Sequence, residues 1–147
     1  MPDERSAGAV VYRAEDDEPR YLLLKYRSGH WGFVKGHIED DESLRETVRR
    51  ESIEETGIED LTFDEDFQDH VIYHFQRGGD TVRKRVDFLI AETSTEEVEL
   101  GSPDEHVDKA WTTYREAQDK LTFDDMQSLL EDAHEHVLST RSRLQSS

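Results

Sequence analysis

The sequence predicts an α/β fold in which a mixed sheet is covered on its faces by helices. Three observations predict it. Short apolar segments rich in Val, Ile, Leu and aromatic residues recur up to Thr113, a capped amphipathic pattern interrupts them after Ser43, and a second helical pattern follows Phe123. At 147 residues the chain has the size of one domain, which buries roughly two-thirds of its unfolded surface. Residues 1–147 are therefore read as a single domain with a frayed Ser-rich tail at 139–147.

Residues 7–13 (AGAVVYR) and 21–26 (YLLLKY) read as two strands of a hairpin joined by the polar turn 14–20. Residues 31–34 form a short apolar run that stops at Lys35-Gly36. The helix at 43–56 has its boundaries written in the sequence: Ser43 and Glu46 form a capping-box pattern, and Gly57 is the expected stop. Further strands are expected at 67–75, 82–92 and 109–113, with the turn Arg77-Gly78-Gly79-Asp80 between the first two. Phe123, Met126, Leu129, Leu130, Ala133 and Val137 recur at three and four residues, so 124–138 is expected to be an amphipathic helix.

Composition narrows the function classes. Zero Cys excludes disulfides, thiolate zinc sites and cysteine nucleophiles. The start of the chain has no basic stretch followed by an apolar core, and no apolar run approaches the roughly 20 residues of a membrane span. A soluble cytoplasmic protein is expected, either monomer or homodimer. The 36 acidic and 18 basic residues give a net charge of -18, only five of the cations are Lys, and 33% of residues are hydrophobic. That balance resembles cytoplasmic proteins of salt-accumulating halophiles. It also argues against nucleic acid as a partner, because such binding draws on clustered Lys and Arg.

The first helix carries the chemistry. At roughly 100° per residue, Leu44 and Val48 define its inward stripe, Glu51 and Glu55 fall within about 40° of that stripe, and Glu54 lies at its edge. Carboxylates turned toward a core require cations or a metal to offset desolvation. Oxygen ligands without His or Cys suit a hard cation such as magnesium, which binds through a few carboxylates plus substrate phosphate. Such an ion can polarise a phosphoryl oxygen and activate water. Arg50 lies beside this face, placed to orient Glu51 and to pair with Glu42.

Gly36, five residues, Glu42, seven residues, Arg50-Glu51, then Ser52-Ile53-Glu54-Glu55-Thr56-Gly57-Ile58 resembles the Nudix box, with Ser52 at the position of an aliphatic residue. The resemblance implies the family's α/β/α sandwich and a magnesium-dependent pyrophosphohydrolase, manganese being the alternative ion. It makes Glu51, Glu54 and Glu55 metal ligands together with the Gly36 carbonyl, and Arg50 the residue that holds Glu51. Residues 30–37 (HWGFVKGH) are similar to the His-Trp and Pro-Lys-Gly-His elements of asymmetric diadenosine tetraphosphate hydrolases, with Val34 in place of the Pro. Glu105-His106 before Trp111 resembles the His-Glu-His segment of the same enzymes. Carried over by position, His30, Lys35 and Lys84 would contact the phosphate chain. Glu105 would be a further metal ligand or the general base, and Tyr73, Phe75 and Phe123 would stack on adenine. Lys25, Arg27, Lys35, Arg83, Lys84 and Arg85 would make the site locally positive. The implied reaction converts diadenosine tetraphosphate and water to ATP and AMP. Other Nudix substrates (a nucleoside triphosphate, a diphosphoinositol phosphate, the triphosphate end of RNA) and a non-catalytic nucleotide-binding module remain the alternatives.

Overall fold

The computed structural model describes the backbone of residues 3–146 and the side-chain surroundings of residues 3–141; residue 147, the end of the expected tail, lies outside the described residues. Strand β1, Asp3–Arg13, runs parallel to β7, Asp80–Glu92, from Asp3↔Arg83 to Tyr12↔Glu92. Every other strand pairing is antiparallel, so the sheet is mixed, as the pattern of elements predicts. The strand β6, Asp69–Arg77, folds back on β7 through Gly78 and Gly79, whose φ values of 56° and 86° suit glycine at a tight hairpin turn.

The expected hairpin is shorter than its sequence suggests. Strand β2, Arg20–Tyr26, pairs with β1 only at Tyr12↔Tyr21 and Arg13↔Arg20, and its length is otherwise matched to β8, His106–Thr112. The vacated edge of β1 is taken by β4, Val34–His37, in the register Ser6↔His37 to Ala9↔Val34. The apolar run at 31–34 thus divides into β3, Trp31–Gly32, and β4, and Lys35-Gly36 continues a strand rather than ending one. Strand β5, Thr62–Phe63, pairs with the far end of β7.

Because the central strands are buried on both faces, their side chains divide by alternation into two cores. Ala7, Ala9, Val11, Leu22, Leu24, Leu89 and Ala91 pack with Val48 of helix α1, Leu44–Thr56. Val10, Tyr21, Leu23, Phe88 and Ile90 pack on the other face with Ala117 of α2, Tyr114–Lys120, and with Leu129, Leu130, Ala133 and Val137 of α3, Asp124–Ser146. The result is an α/β/α sandwich. Helix α2 has its own capping box, Thr113 with Glu116, a signal present in the sequence and not used there. Helix α3 runs past the predicted Leu138, and Arg141 donates to the Glu15 carbonyl at 2.7 Å, fixing that extension to the β1–β2 turn. No described helix is long and apolar enough to cross a membrane.

Candidate active site

Helix α1 is anchored at both ends before it presents any chemistry. The Ser43 hydroxyl accepts from the Glu46 amide while the Glu46 carboxylate accepts from the Ser43 amide, and Gly57 closes the other end at φ 79°. About two turns in, Arg50 organises the acids around it. Its guanidinium donates from Nε and Nη2 to both oxygens of Glu42 at 2.8 and 2.9 Å, to Glu51 at 2.7 Å, and to the His37 carbonyl at 2.9 Å. The forked geometry suits Arg and not Lys. Hydrogen bonding from Arg50 above all holds the Glu42 carboxyl down to about 2, while Glu42 first and Glu51 after it push the Arg50 pKa upward. Glu54 sits 3.4 Å from the same guanidinium and is largely solvated. Gly36 allows this packing: a Cβ there would fall inside the Glu51 carboxylate.

Glu55, one turn further, has the opposite surroundings. It is 1% exposed, and neither carboxyl oxygen has a hydrogen-bond partner among the described residues. Burial, then the neighbouring carboxylates of Glu51, Glu105 and Glu54, push its carboxyl up to about 10. Glu105 reaches the same point from the loop before β8. Arg27 pins that loop, its backbone amide and guanidinium donating to the carbonyls of Glu105, Pro103 and Asp104 at 2.7, 2.6 and 3.2 Å. One ligand atom each from Glu55, Glu105 and His106 fall within 4.8 Å of one another. The buried, unpartnered Glu55 oxygens, with exposed Glu105 converging on them, fit a divalent cation, whose charge would offset the desolvation of Glu55.

A cleft of about 680 Å³ is lined by Tyr26, His30, Phe33, Lys35, Tyr73, Phe123, Asp124, Asp125 and Met126. His30 stacks on Tyr26 at 4.6 Å with an interplanar angle of 5°, and Phe123 tilts against His30 at 5.0 Å. Phe123 nevertheless remains 49% exposed. Lys35 donates to the Tyr73 hydroxyl at 3.1 Å and lies near both tyrosine rings; burial lowers its pKa. Tyr26 joins the two halves of the site, since its ring meets His106 edge-on at 4.6 Å.

The fold thus gathers Gly36, Arg50, Glu51, Glu54, Glu55 and Glu105 on one side and His30, Lys35, Tyr73 and Phe123 on the other. Lys84 stands at the margin, opposite Tyr73 in the β6–β7 register with its Nζ 6.0 Å from that ring. Phe75 does not line the cleft; it lies two residues nearer the hairpin turn and carries the Arg77 guanidinium at 5.1 Å. Two expected phosphate-facing cations are committed elsewhere, Arg27 to the Glu105 loop and Arg85 to the buried Asp87 at 3.0 Å. Residue-level reading missed Tyr26, His106 and Met126. Tyr26 ends a strand and His106 adjoins Glu105, but neither position reveals which face it meets.

Comparison with known proteins agrees with this geometry. The NUDIX domain matches residues 2–133. The chain is 31% identical over 146 residues to the mouse (Mus musculus) asymmetrical bis(5'-nucleosyl)-tetraphosphatase, spanning 92% of this chain and 97% of that one. A crystal structure of a C. elegans Ap4A hydrolase binary complex superposes with a TM-score of 0.75 at 26% identity, covering 92% of this chain and 98% of the other. The E. coli dihydroneopterin triphosphate pyrophosphohydrolase shares the fold, with a TM-score of 0.72 at 19% identity over 92% of this chain and 99% of that one. This chain belongs to the NUDIX family and is a pyrophosphohydrolase.

Proposed function

We propose that the protein hydrolyses diadenosine tetraphosphate asymmetrically to ATP and AMP. The observation that carries this reading is an aromatic-lined cleft linked to the carboxylate centre by the contact of Tyr26 with His106. The extent of the similarity to the mouse enzyme supports the same substrate.

In this reading Glu51, Glu54, Glu55 and Glu105, with the Gly36 carbonyl, would hold magnesium or manganese. When bound, the ion neutralises charge on the phosphoryl oxygens and lowers the pKa of water. Arg50 holds the Glu51 carboxylate in place through the contact at 2.7 Å. Tyr26, His30 and Phe123 hold one adenine, Tyr73 closes the wall, and Lys35 and Lys84 offset the charge of the phosphate chain. Water oxygen bonds to one phosphorus, the bridging P–O bond breaks with its electron pair going to the departing phosphate, and a carboxylate oxygen of the centre takes the water proton. The net charge of -18 supports a salt-rich cytoplasm as the working environment, where a Debye length of a few ångströms separates the bound phosphates from distant surface acids.

The test is incubation in molar potassium chloride with magnesium and a panel of diadenosine polyphosphates, nucleoside triphosphates and nucleotide sugars, with products separated by chromatography. ATP and AMP in equal amounts from diadenosine tetraphosphate, formed faster than any other product, is the expected result. Faster turnover of another compound discards the substrate and leaves the pyrophosphohydrolase chemistry in place.

A further inference from the structure

His106 is among the most completely buried polar side chains in the protein, and the proposed reaction gives its ring nitrogens no role. It opens β8 with both ring nitrogens inaccessible to solvent, and neither has a hydrogen-bond partner among the described residues. A buried imidazole without a partner loses its hydration with no return. Packing against Tyr26 accounts for one face of the ring and satisfies no nitrogen.

The direction of the nitrogen is informative. His106 Nε2 lies 3.0 Å from Glu55 Oε1, close enough for a hydrogen bond, yet the two are not aligned to make one. Neither atom is satisfied by the other, which leaves both available to a third group. Adjacent ligands of one ion stand in that relation: with metal–ligand bonds of roughly 2.0–2.2 Å, neighbouring donors lie about 3 Å apart. Glu105 supplies the next donor, all three atoms falling within 4.8 Å.

We infer that His106 is a nitrogen ligand of a divalent cation shared with Glu55 and Glu105, and that it biases this position toward manganese or cobalt over magnesium. Imidazole is a softer donor than carboxylate and favours first-row transition ions, whereas magnesium is suited to oxygen and water. The inference rests on the proposed reading of the carboxylates as metal ligands and adds a position with a different ion preference beside Glu51 and Glu54.

The experiment is electron spin-echo spectroscopy of the whole protein loaded with one equivalent of Mn2+, using unlabelled and 15N-histidine-labelled samples and the variant His106→Gln. Directly bound imidazole nitrogen is expected in the wild-type spectrum, changing with the 15N label and absent from His106→Gln. Calorimetry is expected to show Mn2+ and Co2+ affinity falling at least tenfold in that variant, with Mg2+ affinity changing less than threefold. A Mn2+-loaded wild-type spectrum without histidine nitrogen coupling overturns the inference, and needs no variant to fold. Nitrogen coupling in a protein that turns over no dinucleotide would sink the substrate reading and leave this ligand in place; full turnover without coupling does the reverse.

Discussion

Glu42 and Glu55 flank the two ends of α1 and meet opposite surroundings. Glu42 is gripped at both oxygens by Arg50 and receives a further bond from the Thr47 hydroxyl at 3.0 Å, so its carboxyl is held down to about 2. Glu55 is more deeply buried, unpartnered, and pushed up to about 10. A carboxylate satisfied by its own protein is a fixture of the scaffold. One left unsatisfied in the interior destabilises the metal-free fold and marks where a ligand belongs.

The largest expected effect follows from removing the unsatisfied end. Glu54→Gln together with Glu55→Gln is expected to lower metal-dependent turnover by about 10²–10³, the scale seen when preorganised electrostatic stabilisation is lost; full turnover in the double variant overturns the mechanism. Glu55 also sets a pH dependence. Its raised carboxyl keeps in the folded protein a proton that the unfolded chain releases near 4.5, so the associated stability is fully present below 4.5 and is lost as pH rises toward 10. Metal-free wild type should therefore lose more stability between pH 7 and 9 than Glu55→Gln does, as read by chemical denaturation.

Arg50→Lys keeps the charge and removes the fork that orients Glu51. Turnover and metal affinity are each expected to fall about 10–100-fold, the usual cost of losing a residue that orients a ligand, and unchanged metal affinity would show that Glu51 needs no support. Glu42→Gln tests the satisfied end by pH alone. Stability from this depressed carboxyl is present above 4.5 and is lost as pH falls toward 2. The variant should accordingly show a flatter acid limb in denaturation scans from pH 5 to 2.

The cleft should respond in a different parameter. Phe123→Ala is expected to raise KM about tenfold with little change in kcat, since base–aromatic stacking contributes about 1–3 kcal/mol. A kcat loss at constant KM would place Phe123 outside substrate binding. The smallest effect belongs to the cap: Ser43→Ala should cost about 1 kcal/mol and lower Tm by roughly 2–4 °C while leaving the metal-site spectra unchanged.

Elements with local signals were legible in the chain before any fold was considered. Helix α1 was readable because Ser43, Glu46 and Gly57 specify its ends within a few residues of each other, and the acids on it follow from a fixed angular step. Two-sided apolar runs at 7–13 and 21–26 fixed the central strands in the same way, and motif spacing placed Gly36, Arg50 and the three glutamates in one group. Contacts between distant segments emerged with the fold. The parallel pairing of β1 with β7, the exchange of the expected hairpin partner for β4, and the meeting of Glu55 with His106 all join residues far apart in the chain. So does the commitment of Arg27 to the loop of Glu105 rather than to phosphate. Local periodicity reports which face of an element is apolar and carries no information about which other face will cover it. For that reason the acids were legible before the fold, and the meeting of His106 with Glu55 was not.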